Sequence, residues 1–124
     1  MATALQITPM TPVIILTTVG ASFDLQQLAM DLVEQRLAAC VNVIPRVHSV
    51  YRWQGKIERE DEQLLLIKTV DERVPALKKA LLTLHPYEVP EFVVIEPREV
   101  AEPYRAWLLD ATASPPPEAT RSRK

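Results

Sequence analysis

Two side chains in this sequence are natural ligands for a soft metal ion. Cys40 offers a thiolate and His85 a neutral imidazole, and both donors suit copper. Each also has a plain structural interpretation. A single cysteine at the head of an apolar strand is most often a small buried hydrophobe, and a histidine at the end of a helix interacts with the last carbonyls. His48 is a third candidate, which we interpret as a solvated or interface residue.

A run of acidic residues between positions 58 and 62 offers hard oxygen ligands, which suit magnesium, calcium or manganese. Strand alternation places Glu58, Glu60 and Glu62 on one side, about 7 Å apart, so one strand cannot close around a single ion. We therefore predict a solvated face, paired with nearby arginines, that also keeps an exposed edge from aggregating. The arginines are Arg46, Arg52 and Arg59.

A third group of polar residues suits a small-molecule cleft. Lys68 stands at the end of an apolar strand, and Tyr87, Glu88 and Glu91 follow a proline turn. We predict that these four residues line a cleft between subunits, where the lysine meets an anionic ligand; alternatively, Lys68 is an ordinary charge at a strand end. The sequence shows no nucleophile and base pair, no glycine-rich phosphate loop and no metal-binding motif, so we predict no catalytic residues and no enzyme activity.

The element that must position these groups is the stretch from 39 to 69, which reads as two long strands joined by a turn at Gly55. At about 3.3 Å per residue the ribbon is roughly 40 Å long, whereas a domain of this size is about 35 Å across. An isolated hairpin is marginal in water, so we expect another copy of the chain to cover the overhang. The predicted interface residues are Val47, Tyr51, Trp53 and Ile57.

The flanking segments complete an α+β pattern. Val13 to Thr18 is a buried strand, and a helix follows with Asp24 or Ser22 as its cap; Gln27, three residues after Asp24, would complete a capping box. After the ribbon come a helix capped by Asp71, a buried strand at 92–95 and a short C-terminal helix at 101–110. The order strand, helix, strand, strand, helix, strand predicts a ferredoxin-like βαββαβ sandwich. Pro45 predicts a bulge in the first arm of the ribbon.

Composition limits the class of protein. With 124 residues we predict a flexible leader (1–11), one domain (12–112) and a disordered, proline-rich and basic tail (113–124). There are 14 basic and 16 acidic residues, which argues against nucleic-acid binding. The lone cysteine suits a reducing compartment, and there is no long apolar segment to span a membrane. We expect a cytoplasmic protein.

Four collinear motifs resemble the CutA divalent-cation tolerance proteins. They are 36–42 (RLAACVN), 51–58 (YRWQGKIE), 67–69 (IKT) and, most specifically, 85–91 (HPYEVPE). The resemblance runs from Val13 to about Leu109. It implies a tight homotrimer similar in architecture to the PII signalling proteins, and a role in tolerance of copper and other divalent cations. It also strengthens Cys40 as a functional residue.

Two hypotheses follow. The first is a cytoplasmic homotrimer that binds divalent metal ions such as copper, with no obligatory cofactor, and acts in metal tolerance as a binding or signalling module. The second is a PII-like sensor in which clefts between subunits bind a small anionic metabolite through Lys68, Tyr87 and Glu88, with metal effects indirect.

Overall fold

A computed structural model describes residues 10–114 of the chain. Its elements are β1 (Pro12–Gly20), α1 (Gln26–Glu34), β2 (Cys40–Trp53), β3 (Lys56–Val70), a 3₁₀ turn (Asp71–Arg73), α2 (Val74–Leu84), β4 (Val93–Ile95) and α3 (Glu102–Thr112). The predicted leader and tail lie largely outside the described residues. Within residues 10–114, no helix combines the length and the apolar character needed to cross a membrane.

The four strands form one sheet in the order β2-β3-β1-β4. Each pairing is antiparallel, and β1 lies between β3 and β4. This is the strand order of a ferredoxin-like sandwich, because each of the two helices connects one strand to a strand that is not its neighbour. The predicted α+β fold class is confirmed.

One face of the sheet carries the main core. Alternate residues of the central strands, such as Ile15, Leu65 and Ile67, are fully buried, because period-two alternation points them all to the same side. Leu32 of α1 and Leu81 of α2 pack against them in the same cluster. Both helices therefore lie on this face.

The opposite face of the sheet is covered only at one end. There Leu108 of α3 packs with Ala39 and Val70 in a second, smaller cluster, and Arg36 ties α1 to α3 by donating to the carbonyl oxygens of Asp110 and Ala111. The remaining apolar residues of this face are only partly covered in the single chain. We call them the open face: Ile14, Leu16, Ile44, Leu64, Leu66, Val93 and Ile95.

The predicted ribbon is confirmed as a hairpin of 14- and 15-residue strands. Gln54 and Gly55 both have positive φ, 51° and 81°, as the two central residues of a type I′ turn require. The register shifts between Ile44 and Val47, which confirms the bulge at Pro45. Because β1 pairs with β3 only from Glu62 to Val70, the outer part of the ribbon extends beyond the sheet.

Three local predictions need correction. Asp24 does accept a hydrogen bond from the Gln26 amide, but the side-chain amide of Gln27 donates to Asp31 on the same helix, so there is no capping box. The Asp71 carboxylate accepts from the Thr11 amide instead of capping a helix. The strand predicted as buried at 92–95 is β4, which is short. Its three residues are 41–44% exposed because they lie at the sheet edge.

Candidate functional site

The segment from His85 to Glu91, here called the linker, crosses the sheet where β1 continues past β4. Helix α2 ends at Leu84, and His85 is extended (φ −70°, ψ 133°) because it precedes Pro86, which disfavours helical geometry in the residue before it. β4 pairs with β1 only at residues 14–16. The edge of β1 beyond Leu16 is therefore free to contact the linker.

Both ring nitrogens of His85 are hydrogen-bonded, one within the linker and the other to β1. Nδ1 lies 3.1 Å from the Tyr87 amide, which can only donate, so the proton is on Nε2. Nε2 donates to the Thr18 carbonyl oxygen at 2.9 Å and lies 3.3 Å from the Thr17 hydroxyl. Burial lowers the pKa of His85, while the Thr18 carbonyl and the Glu62 charge act in the opposite direction. The imidazole is therefore held neutral in one tautomer.

The burial of His85 makes the stability of the fold depend on pH, and the sign of this dependence is defined. The pKa of His85 lies below its ordinary value of 6.5 in the folded chain, so the unfolded chain binds more protons as pH falls through that value. Stability is present above pH 6.5 and is lost as pH falls towards the folded pKa. We expect the urea midpoint of His85→Asn to fall less than that of the wild type between about pH 7.5 and about pH 5. Parallel curves would contradict this role for His85.

Tyr87 and Glu62 form a second polar contact of the site, and it covers a carboxylate. The Tyr87 hydroxyl donates to Glu62 Oε2 at 2.6 Å, and Glu62 is only 5% exposed. Burial and the neighbouring carboxylate raise the pKa of Tyr87 well above its usual value. The prediction of a solvated face was therefore wrong for Glu62, since the linker covers it.

The outer ribbon and the linker form two walls of a cleft of about 650 Å³. Thr18 lies between them, and its hydroxyl donates to Glu91 Oε1 at 3.4 Å. On the ribbon wall, the neighbouring Glu60 carboxylate raises the pKa of Tyr51. Among residues 10–114, the lining includes four carboxylates and no lysine, arginine or histidine; its residues are Thr18, Ser49, Tyr51, Trp53, Glu60, Glu62, Pro86, Tyr87, Glu88, Val89 and Glu91.

The structure brings together three of the four predicted cleft residues. Tyr87, Glu88 and Glu91 line the cleft. Lys68 pairs with Cys40 and Ile14 instead, and its Nζ lies 5.9 Å from the centroid of the Tyr104 ring. Along β3, Lys68 lies four residues from the position that pairs with Thr18, which is a distance of about 13 Å. Within one chain, Lys68 therefore lies outside the cleft.

The predicted metal ligands are also far apart in one chain. Cys40 is half-buried at the end of the sheet where it pairs with Lys68, whereas His85 contacts the Thr18 end. His48 bonds Asp61 at 2.6 Å on the exposed ribbon. Among residues 10–114, no group of three or more histidine, cysteine or acidic side chains is placed to hold an ion. A site using both Cys40 and His85 would need more than one chain.

The predicted interface residues divide between the two sides of the ribbon. Val47 pairs with Glu62 and Tyr51 with Glu58, while Trp53 follows on the same alternation, so these three lie on the side of the cleft. Ile57 pairs with Arg52 on the opposite side and is 59% exposed.

Sequence reasoning missed several residues of the cleft, chiefly Thr18, Ser49 and the carboxylates of Glu60 and Glu62 as part of one site. One signal was available for Glu62. It stands two residues before Leu64 and so shares a side of β3 with the apolar residues of the open face. However, Glu62 is buried by contact with Tyr87, which is 25 positions away in the chain.

Comparisons with known proteins place the chain in a family. A model of the CutA1 divalent ion tolerance proteins matches residues 13–111. The divalent-cation tolerance protein CutA of Thermus thermophilus is 43% identical over 99 residues, which cover 80% of this chain and 96% of that protein. The protein CutA of Homo sapiens is 44% identical over 89 residues, which cover 72% of this chain and 50% of that protein.

Solved structures agree. The structure of CutA from Synechococcus elongatus matches with a TM-score of 0.78 and 41% identity, over 86% of this chain and 95% of that one. The chain thus spans nearly the whole length of these bacterial relatives and about half of the human one. The motifs, the strand order and these matches agree, and the chain belongs to the CutA1 divalent ion tolerance protein family.

Proposed function

We propose that this protein is a cytoplasmic homotrimer that acts in tolerance of copper and other divalent cations, as a metal-binding or signalling module without enzyme activity. The observation that carries this proposal is the match of residues 13–111 to a family named for divalent ion tolerance. The relative from Thermus thermophilus carries the same description in its name.

The open face supports the assembly. Val93 and Ile95 are 44% and 41% exposed, and they adjoin Ile14 and Leu16 across the β1 pairing. On the ribbon, Val47, Tyr51 and Trp53 lie on the same side of the sheet as the open face. A contiguous exposed apolar surface of this kind marks an interaction site. A second and third copy would cover it, as well as the part of the ribbon that no other strand supports.

Cys40 is the better placed of the two proposed metal ligands. It lies on the side of the open face, since its partner Lys68 alternates with Leu64 and Leu66, and its Sγ is 3.6 Å from the Asn42 side-chain oxygen. An ion bound there would lie near a boundary between copies. His85, by contrast, would have to give up a hydrogen bond of its ring to bind a metal.

Metal titration tests this assignment. We expect Cys40→Ser to weaken copper(I) binding at least about tenfold, measured by competition with a chromophoric chelator, because a hydroxyl is a poor ligand for a soft ion. His85→Ala should have a smaller effect. His48→Ala is the matched control, because His48 is 79% exposed on the ribbon. Identical binding curves for all four proteins would exclude both Cys40 and His85 as ligands.

The size of the cleft favours a second candidate function, a PII-like sensor of a small metabolite. A volume of about 650 Å³ is that of a small-molecule site. For an anionic metabolite, the positive charge would have to come from Lys68 of a neighbouring copy. A thermal-shift screen of anionic metabolites against the wild type and Lys68→Ala tests this alternative, and an unchanged response in the variant would exclude the lysine.

A further inference from the structure

Lys68 places a positive charge within the apolar open face. It pairs with Ile14 of β1 and alternates along β3 with Leu66, so its side chain lies on the same side of the sheet as theirs. Its ammonium group lies 5.9 Å from the centroid of the Tyr104 ring. Within residues 10–114, Lys68 forms no ion pair. Its charge is therefore stabilised mainly by water for as long as the open face is uncovered.

The cleft carries the opposite charge on the same side of the ribbon. Glu60 of the ribbon and Glu88 of the linker belong to its lining, whereas Glu62 is already bonded to Tyr87. No basic side chain of residues 10–114 belongs to this lining. The open face and the cleft therefore carry charges of opposite sign that the single chain does not pair.

The proposed homotrimer would cover both surfaces. Taking an unpaired charge out of water has a large desolvation cost, which an opposite charge at close range offsets. In a cyclic trimer, one surface of each copy contacts a different surface of the next copy. Each of the three interfaces can therefore bring the lysine of one copy to the carboxylates of the next, and the cost of covering both charges is then lowest.

Lys68 is the best placed basic residue of the paired strand positions. Arg52 and Arg59 lie on the opposite side of the ribbon, because they alternate with Tyr51 and Glu60. Lys56 is next to the turn at the exposed tip of the ribbon, where its ammonium group can stay in water. Only the charge of Lys68 lies among apolar residues that assembly would cover.

We propose that Lys68 of one copy enters the cleft of the next copy and forms an ion pair with the carboxylates of Glu60 and Glu88. Three identical ion pairs then close the ring. This inference rests on the homotrimer proposed above, and it makes the cleft a boundary between copies that is completed by the neighbour's lysine. The anionic metabolite of the alternative function would need the same lysine, so the two assignments exclude each other.

Charge reversal tests the ion pair. Lys68→Glu places like charges together at every interface, so we expect the dissociation constant of the assembly to rise at least about tenfold, measured by light scattering over a dilution series. Glu88→Lys alone should also weaken the assembly. Combining the two substitutions in one chain restores opposite charges at every interface and should recover most of the wild-type affinity. Glu60→Lys with Lys68→Glu tests the second carboxylate in the same way.

Two further variants make the result specific. Lys79→Glu is the matched control, because Lys79 is exposed on α2 on the helix side of the sheet. It should leave the assembly unchanged, and it should not rescue Glu88→Lys. Lys68→Met removes the charge without adding a carboxylate, and it should weaken the assembly if Lys68→Glu does not fold by circular dichroism.

Three results would overturn the ion pair. The first is a wild-type dissociation constant for Lys68→Glu or Lys68→Met. The second is no recovery of Lys68→Glu by either Glu60→Lys or Glu88→Lys. The third is an anionic metabolite that stabilises the wild type but not Lys68→Ala, since the lysine would then be available to a ligand. A monomeric wild type would refute the homotrimer itself, whereas a trimeric wild type with unaffected variants would refute only the ion pair.

Discussion

We expect the proposed homotrimer to dissociate into single 14.0 kDa chains when Ile95 is replaced by aspartate. Ile95 is 41% exposed on the open face and pairs with Ile14, so a free chain can leave a carboxylate there in contact with water. An assembly that covers the face would have to bury that charge in each copy, at a cost on the order of several kcal/mol per ion.

Light scattering measures the mass of the assembly in solution directly. The wild type should have three times the mass of the chain, and Ile95→Asp should have the mass of one chain with an unchanged far-ultraviolet circular dichroism spectrum. Val33→Asp is the matched control, because Val33 is also β-branched and 43% exposed but lies on α1. A variant with the wild-type mass, or a monomeric wild type, would contradict the assembly.

The second large effect is expected at the contact between Tyr87 and Glu62. Tyr87→Phe removes the hydroxyl that donates to Glu62 and leaves a carboxylate that is 5% exposed without this donor. Losing one partner of a buried hydrogen bond costs about 1 to 3 kcal/mol, and more for a charged group. We therefore expect a lower urea midpoint with an unchanged slope, measured at fixed protein concentration because assembly is linked to stability.

Two further variants make this measurement specific. Tyr104→Phe is the matched control, since Tyr104 is 41% exposed on α3, and it should change stability little. Adding Glu62→Gln to Tyr87→Phe should recover part of the loss, because it removes the buried charge that lost its donor. If Tyr87→Phe is no less stable than Tyr104→Phe, the buried contact contributes nothing to the fold.

Local patterns predicted much of the fold correctly. Alternation and turn chemistry predicted the ribbon, its turn at Gly55 and its bulge at Pro45, because each depends on the conformation of a few consecutive residues. The order of strands and helices predicted the ferredoxin-like sheet, since right-handed crossovers leave few other arrangements. The motif at 85–91 indicated the family that the comparisons then showed.

Burial of charged residues was not predictable in the same way. The residues from Glu58 to Glu62 form one charged run, and nothing local distinguishes the one that the linker covers. Likewise, Lys68 and Tyr87 were grouped by chemical type, yet the register of β3 separates the lysine from the cleft. Such placements depend on contacts between residues far apart in the chain, which periodicity does not encode.

The sequence by itself thus determined the hairpin, the fold class and the family, because these follow from short-range backbone preferences and from motifs. Only the tertiary structure decided that His85 is neutral with both nitrogens bonded, that Glu62 is buried beneath Tyr87, and that the cleft is acidic and aromatic. The physical reason is that desolvation and hydrogen bonding act between surfaces that meet only when the linker folds across the sheet.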